Sequence, residues 1–100
     1  MDKWTEHDYP ELFDQLPADR QQALIHWIEE NLMPRKSFNN RYTSYGLKHR
    51  VTFPDNMDPY FYNGAFKGAM LKAGFSVRDS KALNWVFNIS DKSPLFKQKD

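Results

Sequence analysis

A chain of 100 residues, 40% of them hydrophobic and 16% aromatic, has the length and apolar content of one small folded domain, which argues against disorder of the whole chain. It contains no cysteine, so disulfides, cysteine-based zinc sites and thiol nucleophiles are excluded. The net charge of +1 conceals an asymmetry, because residues 1–30 carry eight acids against two bases, whereas residues 31–100 carry twelve bases against five acids. This segregation indicates an anion-facing surface on the basic part, unless the two parts pair within one fold.

The first strong helical pattern covers residues 17–32. Its opening proline suits a first helical turn, where a missing N–H costs nothing, and Leu24, Ile28 and Leu32 recur on one face. Upstream, residues 10–16 are predicted to form a short helix that folds onto the same core.

A basic polar connection, residues 35–42, precedes the second predicted helix. Thr43 or Ser44 can cap its N-terminus, and the helix is expected to continue over residues 45–51. Residues 53–59 contain two prolines together with Asp and Asn, a composition that is typical of a loop.

The third helix is predicted to begin near Asn63, a good capping residue, and to continue to about Ala73. Gly74 follows at the position where a helix often ends in a left-handed residue. Small side chains recur at every fourth position and would let another helix approach closely; they are Ala65, Ala69 and Ala73.

Residues 84–90 are rich in β-branched and aromatic side chains and are predicted to form a strand, with residues 75–77 as its short partner. The tail, residues 91–100, is expected to be frayed, so that the ordered core covers about residues 10–90. The sequence therefore predicts one compact, mainly α domain with a small β element (α+β), having three main helices, a helix-turn-helix-like middle and a C-terminal strand or hairpin. Its buried core is expected to include Leu24, Ile28, Leu32, Phe66, Met70, Trp85 and Phe87.

Sequence signals for catalysis are lacking. The chain has no Gly-rich phosphate loop, nucleophile elbow, metal-binding histidine pair or dinucleotide fingerprint. We therefore expect a protein that is not an enzyme and that uses no cofactor, metal or small-molecule substrate. No apolar run approaches the length of a membrane span, and the acidic start, Met1-Asp2-Lys3-Trp4, is unlike a signal peptide, so the expected location is the cytoplasm.

A cluster of cations interleaved with aromatic side chains is the most informative functional feature. Clustered cations neutralise phosphates, and nearby rings stack on exposed bases. The capped basic helix, the connection and the next capped helix also resemble a helix-turn-helix, although the connection is longer than usual. The alternative is a solvated basic rim around a helical core. The predicted nucleic-acid contacts are Arg35, Lys36, Arg41, Lys48, His49 and Arg50, with Asn63, Lys67 and Lys72 from the third helix.

Three segments carry a resemblance to a known family: TSYGLKH at 43–49, YNGAFKGAMLKAGF at 62–75 and NWVFNIS at 84–90. They resemble small proteins encoded by bacteriophages and integrated mobile elements, mainly of Gram-positive bacteria, over about residues 16–90. The resemblance brings no catalytic residues. It implies an accessory protein that acts in the cytoplasm of a bacterial host, either a compact DNA-binding regulator or an inhibitor of host defence such as an anti-CRISPR protein.

Two functions are open on this basis. The first is a non-enzymatic nucleic-acid-binding module or regulator, and the alternative is an inhibitor that binds and blocks a nucleic-acid-dependent defence nuclease. In the alternative, acidic side chains compete for the basic groove of the host protein. The Tyr60-Phe61-Tyr62 run either marks such a partner surface or pins a long loop onto its own domain. The predicted protein contacts are Asp14, Asp19, Glu29, Glu30, Tyr60 and Tyr62.

Overall fold

Helices supply the regular structure of residues 3–97, the part of the chain that the computed structural model describes. They pack around one hydrophobic core with a Cα radius of gyration of 12.9 Å, as expected for a compact domain of this length. The mainly α, single-domain fold predicted from the sequence is therefore confirmed. A 3₁₀ helix (Pro10–Gln15) is followed by α1 (Ala18–Asn31), α2 (Ser44–Lys48), α3 (Asn63–Lys72) and α4 (Pro94–Lys97).

The α1 helix buries the face that its sequence pattern predicted. Pro17 occupies the N-cap position, and the C-cap residue Leu32 donates its N–H to the Ile28 carbonyl oxygen. Leu24 and Ile28 are fully buried. The short upstream helix is also confirmed, as the 3₁₀ helix, and all seven predicted core residues are buried.

The α3 helix lies in the middle of the domain, and eight of its ten residues are buried. The N-terminal segment, residues 3–16, crosses it so closely that two positions have room only for glycine. A Cβ at Gly64 would overlap the backbone of Tyr9, and a Cβ at Gly68 would overlap the carbonyl group of Pro10. The sequence predicted a close approach of another helix at the neighbouring alanines but did not predict this approach of the N-terminal segment at the two glycines.

The helix ends follow the predictions with two exceptions, the first being that α2 ends at Lys48, whereas the sequence predicted a helix through residue 51. Thr43 caps α2, since its Oγ1 accepts a hydrogen bond from the backbone N–H of Gly46 at 3.4 Å. Gly74 has a φ of +93° at the end of α3, in the left-handed region as predicted. At the start of α3, however, Tyr62 is the N-cap residue, and Asn63 is the first helical residue. The predicted cap is therefore wrong by one position.

The predicted helix-turn-helix-like middle is wrong. The α2 helix has only five residues, and residues 49–62 separate it from α3. A recognition helix must also present a free face to the major groove. Because most of α3 is buried, it cannot enter a groove of duplex DNA.

Residues 84–90 cross the middle of the domain, but they do not form the predicted strand, and the small β element is not confirmed. Neighbouring segments lie on both sides of them, yet the hydrogen bonds do not continue as a ladder. Pro34 has no N–H to donate, and the Oγ of Ser44, rather than a carbonyl group, accepts the backbone N–H of Trp85 at 3.0 Å. In residues 3–97 the only β pairings are two isolated antiparallel bridges, Val77 with Phe87 and Pro34 with Ile89.

The chain remains packed through residue 97, where the sequence predicted a frayed tail from residue 91. In α4, Leu95 is buried in the core, and the ring of Phe96 stacks on that of Tyr42 with the centroids 4.0 Å apart. These apolar contacts explain why this part of the tail is ordered. Residues 98–100 of the predicted tail lie outside the described residues.

Candidate functional site

Asp91 binds two of the arginines that the sequence assigned to phosphate contacts. Its carboxylate lies 3.3 Å from Nη1 of Arg35 and 3.8 Å from Nη1 of Arg41, and it accepts a hydrogen bond from Nδ2 of Asn39 at 2.8 Å. The Asn39 hydrogen bond, with the charges of Arg41 and Arg35, lowers the pKa of Asp91. Arg35 also donates to the carbonyl oxygens of residues 37 and 38, so it organises its own loop. Arg41 remains largely exposed.

The other cations of the basic segment stay at the surface. Lys36, His49 and Arg50 are exposed. Lys48 is half-buried, and its Nζ lies 5.3 Å from the centroid of the Phe61 ring. This burial lowers the pKa of Lys48. The basic segment therefore keeps surface charge, but Arg35 and Lys48 are partly engaged within the fold.

Lys67 is fully buried, although the sequence assigned it to a phosphate contact. Its Nζ donates to the Asp8 carbonyl oxygen at 3.0 Å and lies 3.7 Å from the ring centroid of Trp4 and 4.9 Å from that of Trp85. Burial lowers the pKa of Lys67 to about 8, against the opposing charge of Asp8. Asn63 is also buried, and its Nδ2 donates to Oδ1 of Asp8 at 3.1 Å. Both predicted contacts are wrong, because the N-terminal segment covers this face of α3.

The sequence does hold a signal for this covered face. Asn63 and Lys67 are four residues apart, and they stand beside Gly64 and Gly68, which are also four apart. Residues at this spacing lie one above the other on a helix. A polar pair next to a glycine pair on an otherwise apolar helix indicates that another part of the chain lies across that face and supplies polar partners.

An open groove lies between the 3₁₀ helix, α1 and the loop at residues 54–57. Its volume is about 760 Å³, and acidic and apolar residues line it together. We call it the acidic groove. Its lining includes the carboxylates of Asp14, Asp19 and Glu29 and the apolar side chains of Phe13, Ile25 and Met57.

The acidic groove thus brings together three of the four acids that the sequence assigned to protein binding. The fourth, Glu30, lines an adjoining cleft that shares Ala23, His26 and Pro54 with the groove. The Glu30 carboxylate lies 3.2 Å from Nε2 of His26. The four acids therefore line two adjoining clefts, with Asp14 on the 3₁₀ helix and the other three acids on α1.

Lys72 also lines the acidic groove, at the C-terminal end of α3. The sequence assigned this exposed lysine to a phosphate contact together with Lys67. The structure places it in the same groove as Asp14, Asp19 and Glu29 instead, where a phosphate would meet like charges.

The Tyr60-Phe61-Tyr62 run has one buried ring and two exposed rings. Phe61 is buried, and its ring meets that of Phe53 edge to face at 5.6 Å, so it holds the loop on the domain. Tyr60 and Tyr62 are exposed and stand outside the lining of the acidic groove. The two outer rings thus remain accessible to a partner on a different face.

Among residues 3–97, no group of three or more His, Asp or Glu side chains is placed to share a metal ion. Within the same range, the helices lack the length and apolar content that a bilayer crossing requires. Comparisons of the chain with protein-family models, with curated proteins and with solved structures found no match. Carboxylates beside apolar side chains are complementary in chemistry to a segment that is both cationic and apolar.

Proposed function

We propose that the protein is a non-enzymatic binding protein whose acidic groove takes a basic, partly apolar segment of another protein. One observation carries this proposal: Asp14 from the 3₁₀ helix and Asp19 and Glu29 from α1 converge on a single apolar-lined groove. A solvated acidic face has no need of such an apolar lining. The combination fits a partner segment in which Lys or Arg alternates with apolar residues.

The two kinds of lining contribute differently to binding. Exposed ion pairs contribute about 0.2–1 kcal/mol each and weaken as the salt concentration rises. Apolar surface buried against Phe13, Ile25 and Met57 contributes about 25 cal/mol per Å². The carboxylates therefore select for positive charge and speed the encounter, whereas apolar contact adds affinity that does not weaken as salt rises.

The partner class that we propose is a host protein that holds nucleic acid in a basic groove, such as a defence nuclease. Proteins of this class expose clustered Lys and Arg, and an acidic surface competes with nucleic acid for them. The resemblance to phage and mobile-element proteins supports this setting. Two observations also favour a protein partner over duplex DNA: Arg35 is paired with Asp91, and Lys67 is buried. Both remove cations from the predicted duplex interface.

A pull-down from bacterial lysate, with and without nuclease treatment, tests this function. We expect the wild-type protein to retain a protein partner after nuclease treatment, and the D14N/D19N/E29Q variant to lose it. Glu6→Gln is the control for neutralising a carboxylate elsewhere, because the Glu6 side chain is 87% exposed and lies outside the groove. Loss of every partner after nuclease treatment, with nucleic acid in the untreated eluate, would contradict the proposal.

A further inference from the structure

A row of exposed rings and cations runs across α2, residues 59–62 and the N-terminal segment. The rings of His7 and Tyr62 stack with their centroids 4.1 Å apart, and Tyr62 meets Tyr60 edge to face at 5.2 Å. The Nζ of Lys48 lies 5.8 Å from the Tyr60 centroid. The row continues along α2, and we call it the ring row: His7, Tyr62, Tyr60, Lys48, His49 and Tyr45.

The α2 end of the ring row is continuous with the rest. Lys48, His49 and Tyr60 line one shallow cleft, and the ring of His49 meets that of Tyr45 edge to face at 4.6 Å. Arg50 follows His49 in the chain and is exposed, so two cations, Lys48 and Arg50, lie at this end of the row. Two carboxylates bound the row: Glu6 approaches Nε2 of His7 at 3.9 Å, and Asp58 accepts the backbone N–H of Tyr60.

The tyrosine rings of this row are exposed to solvent and are not packed in the hydrophobic core. Tyr60 is 60% exposed, Tyr45 is 54% exposed and Tyr62 is 37% exposed. The loop that carries Tyr60 and Tyr62 is held from below by the buried Phe61, and a guanidinium N–H of Arg20 donates to the Tyr60 carbonyl oxygen. The rings are therefore presented on a fixed support.

We propose that the ring row binds single-stranded nucleic acid, with bases stacked on Tyr60 and Tyr45 and phosphates near Lys48 and Arg50. Aromatic rings interleaved with cations are the chemistry that holds single strands, because every base offers a face for stacking and every linkage carries a charge. A duplex keeps its bases stacked on each other, so these rings could not stack on them. The ring row shares no residue with the acidic groove, and the two proposals stand or fall separately.

Titration of labelled oligo(dT), oligo(U) and a duplex, each of about 15 nucleotides, tests the proposal by fluorescence anisotropy at two salt concentrations. We expect the single strands to bind more tightly than the duplex, with a dissociation constant below about 100 μM at low salt. The two single strands distinguish DNA from RNA as the preferred ligand. Binding that is weaker than this for both strands, or equal binding of the duplex, overturns the proposal.

Substitutions within the ring row test whether it is the site of single-strand binding. Tyr60→Ala and Tyr45→Ala should each weaken single-strand binding by about fivefold or more, whereas Tyr60→Phe should retain it, because the ring remains. Lys48→Gln with Arg50→Gln should flatten the slope of log affinity against log salt by about 1.4, because each neutralised phosphate of a single strand adds about 0.7 to that slope. Lys81→Gln with Lys92→Gln is the charge-matched control, since both lysines are exposed and outside the row. Equal weakening by the control substitutions, or unchanged binding without the rings, overturns the proposal.

The acidic-groove variant D14N/D19N/E29Q separates the two functions. It should bind the single strands as the wild-type protein does, even where it loses its protein partner. A protein partner that depends on Tyr60 and Tyr45, without any single-strand binding, would instead show that the ring row is a protein interface and would overturn this proposal.

Discussion

The ammonium group of Lys67 lies 3.7 Å from the centre of the Trp4 ring, so a cation on α3 is joined to the N-terminal segment. Trp85 adds a second ring at 4.9 Å. A desolvated cation gains about 2 kcal/mol or more from such a contact, which offsets part of the cost of burying an ammonium group. Lys67 therefore ties the N-terminal segment to the centre of the domain and is not a surface contact.

The buried position of Lys67 predicts how stability depends on pH. The pKa of Lys67 is about 8 in the folded protein, below the value of 10.5 for a free lysine. Between these values the unfolded chain binds more protons than the folded one, so the free energy of unfolding should rise as the pH increases from 8 to 10.5. The full shift corresponds to about 3 kcal/mol. Urea denaturation at several pH values in this range measures the rise.

Lys67→Met isolates this contribution from other groups that titrate in the same range. Methionine keeps a long side chain between the two tryptophans but carries no proton to lose. We expect the rise in stability across this range to be smaller in the variant by about the amount that Lys67 supplies. Parallel pH profiles for the wild-type and variant proteins would show that Lys67 is not held in a low-pKa state.

Replacing glycine by alanine should have opposite effects on stability in α3 and in α2. Gly68→Ala places a Cβ against the Pro10 carbonyl group, and it should lower stability by about 1–3 kcal/mol despite the better helix propensity of alanine. Gly46→Ala in α2 is the control, because its nearest neighbour is at 3.8 Å, and it should gain up to about 1 kcal/mol. Denaturation curves measure both effects. Equal stability of the two variants would show that the N-terminal segment does not rest on α3.

The helices with strong local patterns could be predicted from the sequence, and the long-range contacts could not. The leucine and isoleucine spacing placed the buried face of α1 because that periodicity is local. The spacing of Gly64, Lys67 and Gly68 marks a covered face of α3, but no local pattern indicates that residues 3–16 cover it. The charge of Lys67 alone therefore predicted a surface position. The β propensity of residues 84–90 predicted a strand, but Ser44 takes a hydrogen bond that a ladder would need.

The candidate site could be predicted in its residues but not in its geometry. The acids of the N-terminal part were identified from charge alone, yet the groove exists because the 3₁₀ helix, α1 and the loop at residues 54–57 meet around Ile25 and Met57. That meeting depends on tertiary packing. In the same way, the sequence named Tyr60 and Tyr62 as candidate contacts, but their approach to His7 and Lys48 required the fold.

Two isoleucines on α1 distinguish substitution in the core from substitution in the acidic groove. Ile28 is fully buried, and Ile28→Ala should lower the free energy of unfolding by about 2–5 kcal/mol. Ile25 is half-buried and lines the groove, so Ile25→Ala should cost less than about 2 kcal/mol and should weaken binding of the partner segment. Chemical denaturation and a peptide titration measure the two effects. A larger stability loss from Ile25→Ala than from Ile28→Ala would show that the Ile25 side of α1, and not the Ile28 side, faces the core.

The acidic groove is tested most directly by titrating the protein into a labelled peptide of about 15 residues that combines Lys and Arg with Leu and Phe. The wild-type protein should bind it with an affinity that falls as salt rises, and D14N/D19N/E29Q should bind about tenfold or more weakly, because each of the three ion pairs contributes about 0.5 kcal/mol. Glu6→Gln should bind like the wild-type protein, and a matched peptide with Glu in place of the cations should not bind. Equal affinity of the wild-type protein and the triple variant for the basic peptide would contradict the proposed function.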